Sequence, residues 1–156
     1  MYIQLSSSQV DLDYYFLARE FVTDDAVLEL SIGLAYLHRA VQRQINNRHI
    51  TILQAMTFIF HYYRLQYEKS QKFPGVEGAA LRQQAEYNIA RSFHQIGLMT
   101  FACKYYDSAL RISEEWGEKM GRRDLKLDIA HNLSLIFQLS GNVKAAKEIT
   151  ENFLVL

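Results

Sequence analysis

The second half of the chain contains one helical pattern twice. The first copy begins at Asn88 and ends at Gly97, and the second begins at Asn132 and ends at Gly141. Asparagine, an aliphatic residue, a small residue, phenylalanine and glycine recur at the same offsets in both copies, and an amphipathic helix that contains alanine is predicted after each. A repeat of this kind constrains the fold strongly, because each unit can bury its apolar face only against a neighbouring unit. The pattern predicts stacked helical hairpins.

Hairpins with this arrangement of small and large residues resemble the tetratricopeptide repeat (TPR), whose unit is about 34 residues long. A weaker copy can be recognised around Gly33 in a first helix and Ala55 in a second helix. We therefore predict an all-α, TPR-like helical-hairpin solenoid of about three irregular repeats, of which two are clear and one is degenerate. Repeats of this class form extended binding surfaces, so a protein-interaction function is expected.

The predicted organisation is a single TPR-like domain over residues 1–156. Its parts are a lead-in with a first helix (1–24), the degenerate repeat (25–70), a clear repeat (79–116) and a second clear repeat (124–156). The two clear copies are 44 residues apart, which is longer than the usual unit. The excess falls between the repeats, and the glycines there predict a linker from Trp116 through Gly121.

Composition narrows the possible classes of protein. Pro74 is the only proline, which favours long helices over a fold with many turns. Cys103 is the only cysteine, so no disulfide can form within the chain and a reducing compartment is expected. No apolar run approaches the roughly 20 residues of a membrane span, and no secretory signal is recognisable. We expect a soluble, intracellular protein without a membrane partner.

Catalytic and metal-binding patterns are not apparent in the sequence. The five histidines do not have metal-ligand spacings, and Cys103 has no cysteine partner. Glycine-rich phosphate-binding motifs are also missing. The chain is therefore expected not to be an enzyme, with no catalytic residues, no metal site and no cofactor. Cys103 is expected to be a buried small residue rather than a nucleophile.

The first helix of each TPR hairpin lines the concave face of the solenoid, which makes that face the candidate site. Transfer of this geometry by position predicts a polar, aromatic and weakly basic groove for an extended or helical peptide. Its residues in the first clear repeat are Gln84, Tyr87, Asn88, Arg91, His94 and Gln95. Those in the last repeat are Asp128, His131, Asn132, Leu135 and Gln138. The alternative is that these residues contact a neighbouring helix of the same protein.

A second stretch could contact nucleic acid. Residues 49–72 interleave bases with aromatic residues, a combination that supports phosphate contacts and base stacking. The competing explanation is a buried helix whose aromatic side chains belong to the core while the bases extend to solvent. The formal net charge of zero favours this explanation over a dedicated nucleic-acid domain.

Three segments carry a more specific resemblance. They are residues 87–98, residues 102–106 and residues 124–142, and the last contains the phrase Asn-Leu-Ser-Leu-Ile ahead of a Gly-Asn turn. Together they look like the C-terminal TPR region of the TPR-array subunit of transcription factor IIIC, the general factor of RNA polymerase III. The resemblance covers most of the chain and is strongest over residues 79–150.

The resemblance implies a nuclear protein-interaction scaffold that supports assembly of transcription factor IIIC, and it implies that this chain is part of a much longer protein. The expected partners are other subunits of the factor, with factor IIIB components as further candidates and DNA contacted only indirectly through the complex. The alternatives are a generic TPR adaptor in another complex and a nucleic-acid-contacting helical module. Uncovered apolar flanks at residues 1–22 and 143–156 also predict self-association of the isolated chain.

Overall fold

The computed structural model describes residues 7–42 and 46–154, and the regular elements of these residues are helices. A 3₁₀ turn, Gly121–Arg123, precedes α6, and a π-helical turn, Thr150–Leu154, follows α7. The helices are α1 (Ser7–Phe21), α2 (Ala26–Ala40), α3 (Arg48–Lys72), α4 (Val76–Gln95), α5 (Met99–Met120), α6 (Lys126–Leu139) and α7 (Val143–Ile149). The predicted all-α, helical-hairpin fold is confirmed. The start of the predicted lead-in and part of the loop before α3 lie outside the described residues.

The chain divides into two compact units, Met1–Leu65 and Gln66–Leu156, and the division falls within α3. The first unit contains α1, α2 and most of α3. The second contains the end of α3 and the two hairpins α4–α5 and α6–α7. The grouping of all residues into a single domain stays a prediction.

The first unit is built around a close approach of α2 to α3. Gly33 on α2 is buried, and a side-chain carbon added there would lie 2.6 Å from Cγ1 of Ile59 and 3.2 Å from the carbonyl oxygen of Ala55. Ile59 and Ala55 are both fully buried. The small residues that marked the degenerate repeat in the sequence are therefore the residues that let its two helices come together.

The two clear hairpins have the same turn. After α4 the amide of Leu98 donates to the carbonyl of Phe93, and after α6 the amide of Asn142 donates to the carbonyl of Phe137. The glycines that precede these amides have φ values of 87° and 77°. A hydrogen bond from the sixth residue back to the first, across a glycine in the left-handed conformation, is a common way to end a helix. The predicted equivalence of the two copies therefore extends to the backbone.

The predicted linker from Trp116 through Gly121 is wrong. Instead α5 continues to Met120, and Gly121, with a φ of 56°, ends the helix. The extra residues between the two copies thus lengthen a helix rather than a loop. The cause is a continued apolar stripe, because Ile112, Trp116 and Met120 follow one another at four-residue spacing and pack with Ala79 of α4.

The carboxylate of Asp124 joins three helices of the second unit. It accepts hydrogen bonds from Ser113 Oγ of α5 at 2.7 Å, from Gln83 Nε2 of α4 at 2.6 Å and from the amide of Lys126 at 3.1 Å. The side chain of Gln83 also accepts a hydrogen bond, from the backbone amide of Leu125 to its Oε1 at 3.1 Å. The buried side chains of Gln83 and Ser113 thereby have hydrogen-bond partners, and the start of α6 is fixed against α4 and α5. The N-cap position of α6 is Leu125, and Asp124, just before it, accepts from the amide of the first helical residue, Lys126.

Gly117 makes this arrangement possible. A side-chain carbon at this position would lie 2.5 Å from Oδ2 of Asp124 and 3.3 Å from Oγ of Ser113. The glycine that signalled a linker in the sequence is therefore a point of close approach within a helix.

A matched pair of glycine substitutions should separate contact with a side chain from contact with the backbone. A carbon added at Gly33 meets mainly the Ile59 side chain, whereas one added at Gly78 would lie 2.1 Å from the carbonyl oxygen of Phe73 and 2.7 Å from that of Ser70. Both changes gain the same helix propensity. We expect Gly78→Ala to cost about 1–3 kcal/mol or more and Gly33→Ala to cost less, because a side chain can shift. Urea unfolding followed by circular dichroism measures both, and an equal cost would contradict the backbone-contact argument.

Loss of the Asp124 carboxylate should destabilise the second unit. Asp124→Ala leaves the buried Gln83 and Ser113 side chains without their acceptor, and we expect a cost of about 1–3 kcal/mol. Glu118→Ala, on the exposed side of α5, is the control and should change stability by less than about 0.5 kcal/mol. If the two variants unfold at the same urea concentration, the network does not contribute as described.

Candidate functional site

The structure brings together residues of the predicted groove that come from different repeats. Nδ2 of Asn132 on α6 donates to the hydroxyl of Tyr87 on α4, at 3.4 Å, and also to the carbonyl oxygen of Asp128 at 2.9 Å. Both side chains are half-buried. The first helices of the two clear hairpins are therefore linked by side chains, as expected for adjacent TPR units.

An arginine extends this contact along α4. The guanidinium carbon of Arg91 lies 5.7 Å from the centre of the Tyr87 ring, one turn earlier on the same helix. Arg91 is exposed, so the ring positions a cation at the surface. Burial is the main cause of a raised pKa at Tyr87, although nearby Arg91 acts to lower it. The phenol therefore stays neutral and can donate a hydrogen bond as well as accept one.

Tyr106 of α5 lies beneath these residues. It is fully buried, and its ring centre is 6.0 Å from that of Tyr87 and 6.2 Å from that of His94, which meets it edge-on. Among the described residues its hydroxyl has no hydrogen-bond partner. Burial strongly raises its pKa. Tyr106 is not among the predicted groove residues, because its place beneath the groove depends on the packing of α5 against α4.

His94 completes the surface that we call the aromatic strip, defined by Tyr87, Arg91, His94 and Asn132 with Tyr106 buried beneath them. Burial lowers the pKa of His94, so its imidazole is neutral at pH 7. The strip therefore has one cation, Arg91, and otherwise offers neutral hydrogen-bonding groups on aromatic rings. Such a surface suits the backbone and side chains of a polypeptide.

The other predicted groove residues are placed differently. Oε1 of Gln84 accepts from Nε2 of Gln66 on α3 at 3.4 Å, so this side chain is turned towards α3. Asn88 is half-buried, and Gln95, His131 and Gln138 are exposed. Their participation in a groove stays a prediction.

Cys103 has the character of a packed thiol rather than a nucleophile. It is half-buried, and burial, followed by the nearby carboxylate of Asp107, raises the pKa of its thiol. Within residues 7–42 and 46–154, no group of His, Cys, Asp and Glu side chains could hold a metal ion. Among the described helices, none has both the length and the apolar character needed to cross a membrane.

Paired antiparallel helices with repeated glycine turns, and a surface lined by first helices, define a TPR-like helical-hairpin module. The comparisons with known proteins extend this assignment. The chain is 39% identical over 153 residues to transcription factor tau subunit sfc4 of Schizosaccharomyces pombe. The aligned region covers 92% of this chain and 14% of that protein. No protein-family model matches the chain.

Two further relatives match the chain with similar identity and coverage. The transcription factor tau 131 kDa subunit of Saccharomyces cerevisiae is 32% identical over 143 residues, covering 92% of this chain and 13% of that protein. The human general transcription factor 3C polypeptide 3 is 34% identical over 128 residues, covering 81% of this chain and 13% of that protein. The chain is thus homologous, over most of its length, to TPR-containing subunits of transcription factor IIIC, and the resemblance drawn from the sequence is confirmed. It spans only 13–14% of the length of these relatives.

Removal of the buried Tyr106 hydroxyl should not destabilise the protein. Because this hydroxyl has no partner among the described residues, Tyr106→Phe is expected to be neutral or to stabilise by about 1 kcal/mol. Tyr87→Phe, which loses the bond from Asn132, is expected to cost about 0.5–1 kcal/mol. Urea unfolding compares the two. A loss of more than about 1 kcal/mol for Tyr106→Phe would show that the hydroxyl is bonded in solution.

Proposed function

We infer that this chain is a non-catalytic, nuclear protein-interaction scaffold that supports assembly of transcription factor IIIC for RNA polymerase III transcription. The observation that carries this function is the aromatic strip, which joins the first helices of two hairpins in a module homologous to subunits of that factor. Its partners are other subunits of the same factor. The names of the relatives favour this assignment over a generic TPR adaptor.

The chemistry of the strip supports a peptide partner. Arg91 provides an exposed cation above the Tyr87 ring, and Gln95, His131 and Gln138 provide exposed hydrogen-bonding side chains on the same two helices. Aromatic and arginine side chains of this kind dominate the energetics of protein interfaces. An extended or helical segment that brings an acidic side chain to Arg91 would fit, with its backbone bonded by the amide side chains.

Factor IIIB components are a further proposed set of partners, and DNA is approached through the assembled complex. Self-association in the absence of partners is supported by exposed apolar side chains in both terminal parts of the described chain. Phe21 is 81% exposed, Leu139 79% and Val143 70%. Such surfaces usually mark contacts with other protein segments.

A charge reversal in the strip should weaken partner binding. Arg91→Glu is expected to reduce capture of purified factor IIIC subunits by about tenfold or more, because it replaces the one cation of the strip by an anion. The matched control is Lys104→Glu, which makes the same change at an exposed position on α5, outside the strip. Pull-down with purified subunits measures capture, circular dichroism confirms folding, and light scattering reports self-association.

The two variants separate the parts of the proposal. Capture that survives Arg91→Glu would place the binding surface elsewhere while keeping the scaffold function. Equal losses in both variants would indicate a non-specific effect of charge. If the unaltered chain captures none of the subunits, the proposed function is wrong.

A further inference from the structure

The first unit has an arginine that is held rigidly by its neighbours. Nε of Arg19 on α1 donates to Oε1 of Glu29 on α2 at 2.6 Å, and the guanidinium carbon lies 5.4 Å from the centre of the Phe58 ring on α3. Glu29 is almost fully buried. A carboxylate on one edge and a ring beneath the plane fix the orientation of the guanidinium before any ligand arrives.

The remaining donors of this arginine are available. Among the described residues, none accepts a hydrogen bond from the two terminal amino groups of Arg19. The side chain lines an open depression of about 430 Å³, formed by helices α1, α2 and α3 of the first unit. Two parallel N–H donors on an oriented guanidinium match the two oxygens of a carboxylate.

The buried carboxylate in the wall of the depression is already paired. Glu29 is neutralised by Arg19 and lies 3.0 Å from His61, measured from Oε2 to Nδ1. Arg64, one turn after His61 on α3, is exposed and also lines the wall. Asp24 lies 3.6 Å from His61, measured from Oδ1 to Nε2, so an acidic group would approach Arg19 from the side away from Asp24.

The rest of the wall is mostly apolar. Phe58 lines the depression beside Arg19, and Phe60, which is 46% exposed, and Thr57 also line it. A pocket with an apolar wall and a few convergent polar groups binds a side chain better than a bare ion. The occupant should therefore combine an apolar side chain with a neighbouring carboxylate.

We propose that this depression is a second docking site, which takes an acidic peptide segment in which a glutamate or aspartate side chain bonds Arg19 while an adjacent apolar side chain packs on Phe58. The site belongs wholly to the first unit and does not rest on the aromatic strip. It provides an interaction surface that is independent of the one proposed above.

A peptide fits this site better than nucleic acid. Glu20 and Asp24 lie beside Arg19, where the three side chains line an adjoining depression. An extended phosphate backbone that reached Arg19 would meet these carboxylates, whereas one acidic side chain on a peptide can approach from the apolar wall.

The test uses the 156-residue chain and four blocked, fluorescently labelled peptides that differ only in a central pair: Phe-Glu, Phe-Gln, Ser-Glu and Phe-phosphoserine. Fluorescence anisotropy measures affinity. The Phe-Glu peptide is expected to bind at least about tenfold more tightly than the Phe-Gln and Ser-Glu peptides. A labelled duplex oligonucleotide is the fifth probe.

Substitutions in the chain test whether the peptide binds in this depression. Thr57→Glu puts an anion in the exposed wall and should weaken Phe-Glu binding about tenfold, whereas Thr57→Gln, of the same size, should weaken it much less. Arg19→Lys keeps the charge but removes the paired donors, and it should also weaken binding. The control is Arg48→Lys, the same change at an exposed position outside the depression.

Three results would overturn the proposal. One is the absence of Phe-Glu binding at about 1 mM peptide. Another is equal binding of the Phe-Glu and Phe-Gln peptides, or equal effects of Thr57→Glu and Thr57→Gln. The third is tighter binding of the phosphoserine peptide or the duplex than of Phe-Glu, lost in Thr57→Glu, which would assign the site to phosphate. These results leave the scaffold function untouched, because that function is tested at Arg91.

Discussion

The second unit depends on one carboxylate. Asp124 accepts hydrogen bonds from Gln83 on α4, from Ser113 on α5 and from the backbone at the start of α6. Because Gln83 is fully buried and Ser113 nearly so, their polar groups would otherwise be desolvated without partners. The network therefore sets the position of α6, and α6 in turn carries Asn132 to the hydroxyl of Tyr87. The aromatic strip therefore depends on this polar contact at the start of α6.

The same chemical arrangement occurs in both units. In the second unit Arg91 lies over the Tyr87 ring, and in the first Arg19 lies beside the Phe58 ring. The two arginines differ in what holds them: Arg19 is also bonded to a buried glutamate, whereas among the described residues Arg91 contacts only the Tyr87 ring. A rigid arginine loses less conformational entropy on binding, so the pocket of the first unit is preorganised for one side chain. The strip is more open and suits a longer segment.

The sequence predicted the parts of the fold that local patterns encode. The glycine turns after α4 and α6 follow from backbone chemistry, and the structure has them where the two sequence copies end. The extension of α5 was missed because Gly117 was taken as a helix breaker. The stripe of Ile112, Trp116 and Met120 was the signal that could have corrected this.

The candidate sites were predictable only in part. TPR geometry selected Tyr87, Arg91, His94 and Asn132. In the structure Arg91 and Asn132 contact Tyr87, and the rings of Tyr87 and His94 pack against Tyr106. It also selected Gln84, which is turned towards α3 instead, because the rotation of a helix about its axis depends on all of its neighbours. The pocket at Arg19 could not be found from sequence, since its residues come from three helices and have no motif spacing.

By itself, then, the sequence determined the helical hairpins, the homology to transcription factor IIIC subunits and the identity of the close-packed small residues. The hairpins and the small residues depend on periodicity or on single-residue backbone preference, which act over a few residues, and the homology depends on sequence identity alone. Only the tertiary structure decided which polar side chains are satisfied by one another and which keep unused donors at the surface. That outcome depends on distances between helices that are far apart in the chain, such as those that join Gln83 to Asp124 and Arg19 to Glu29.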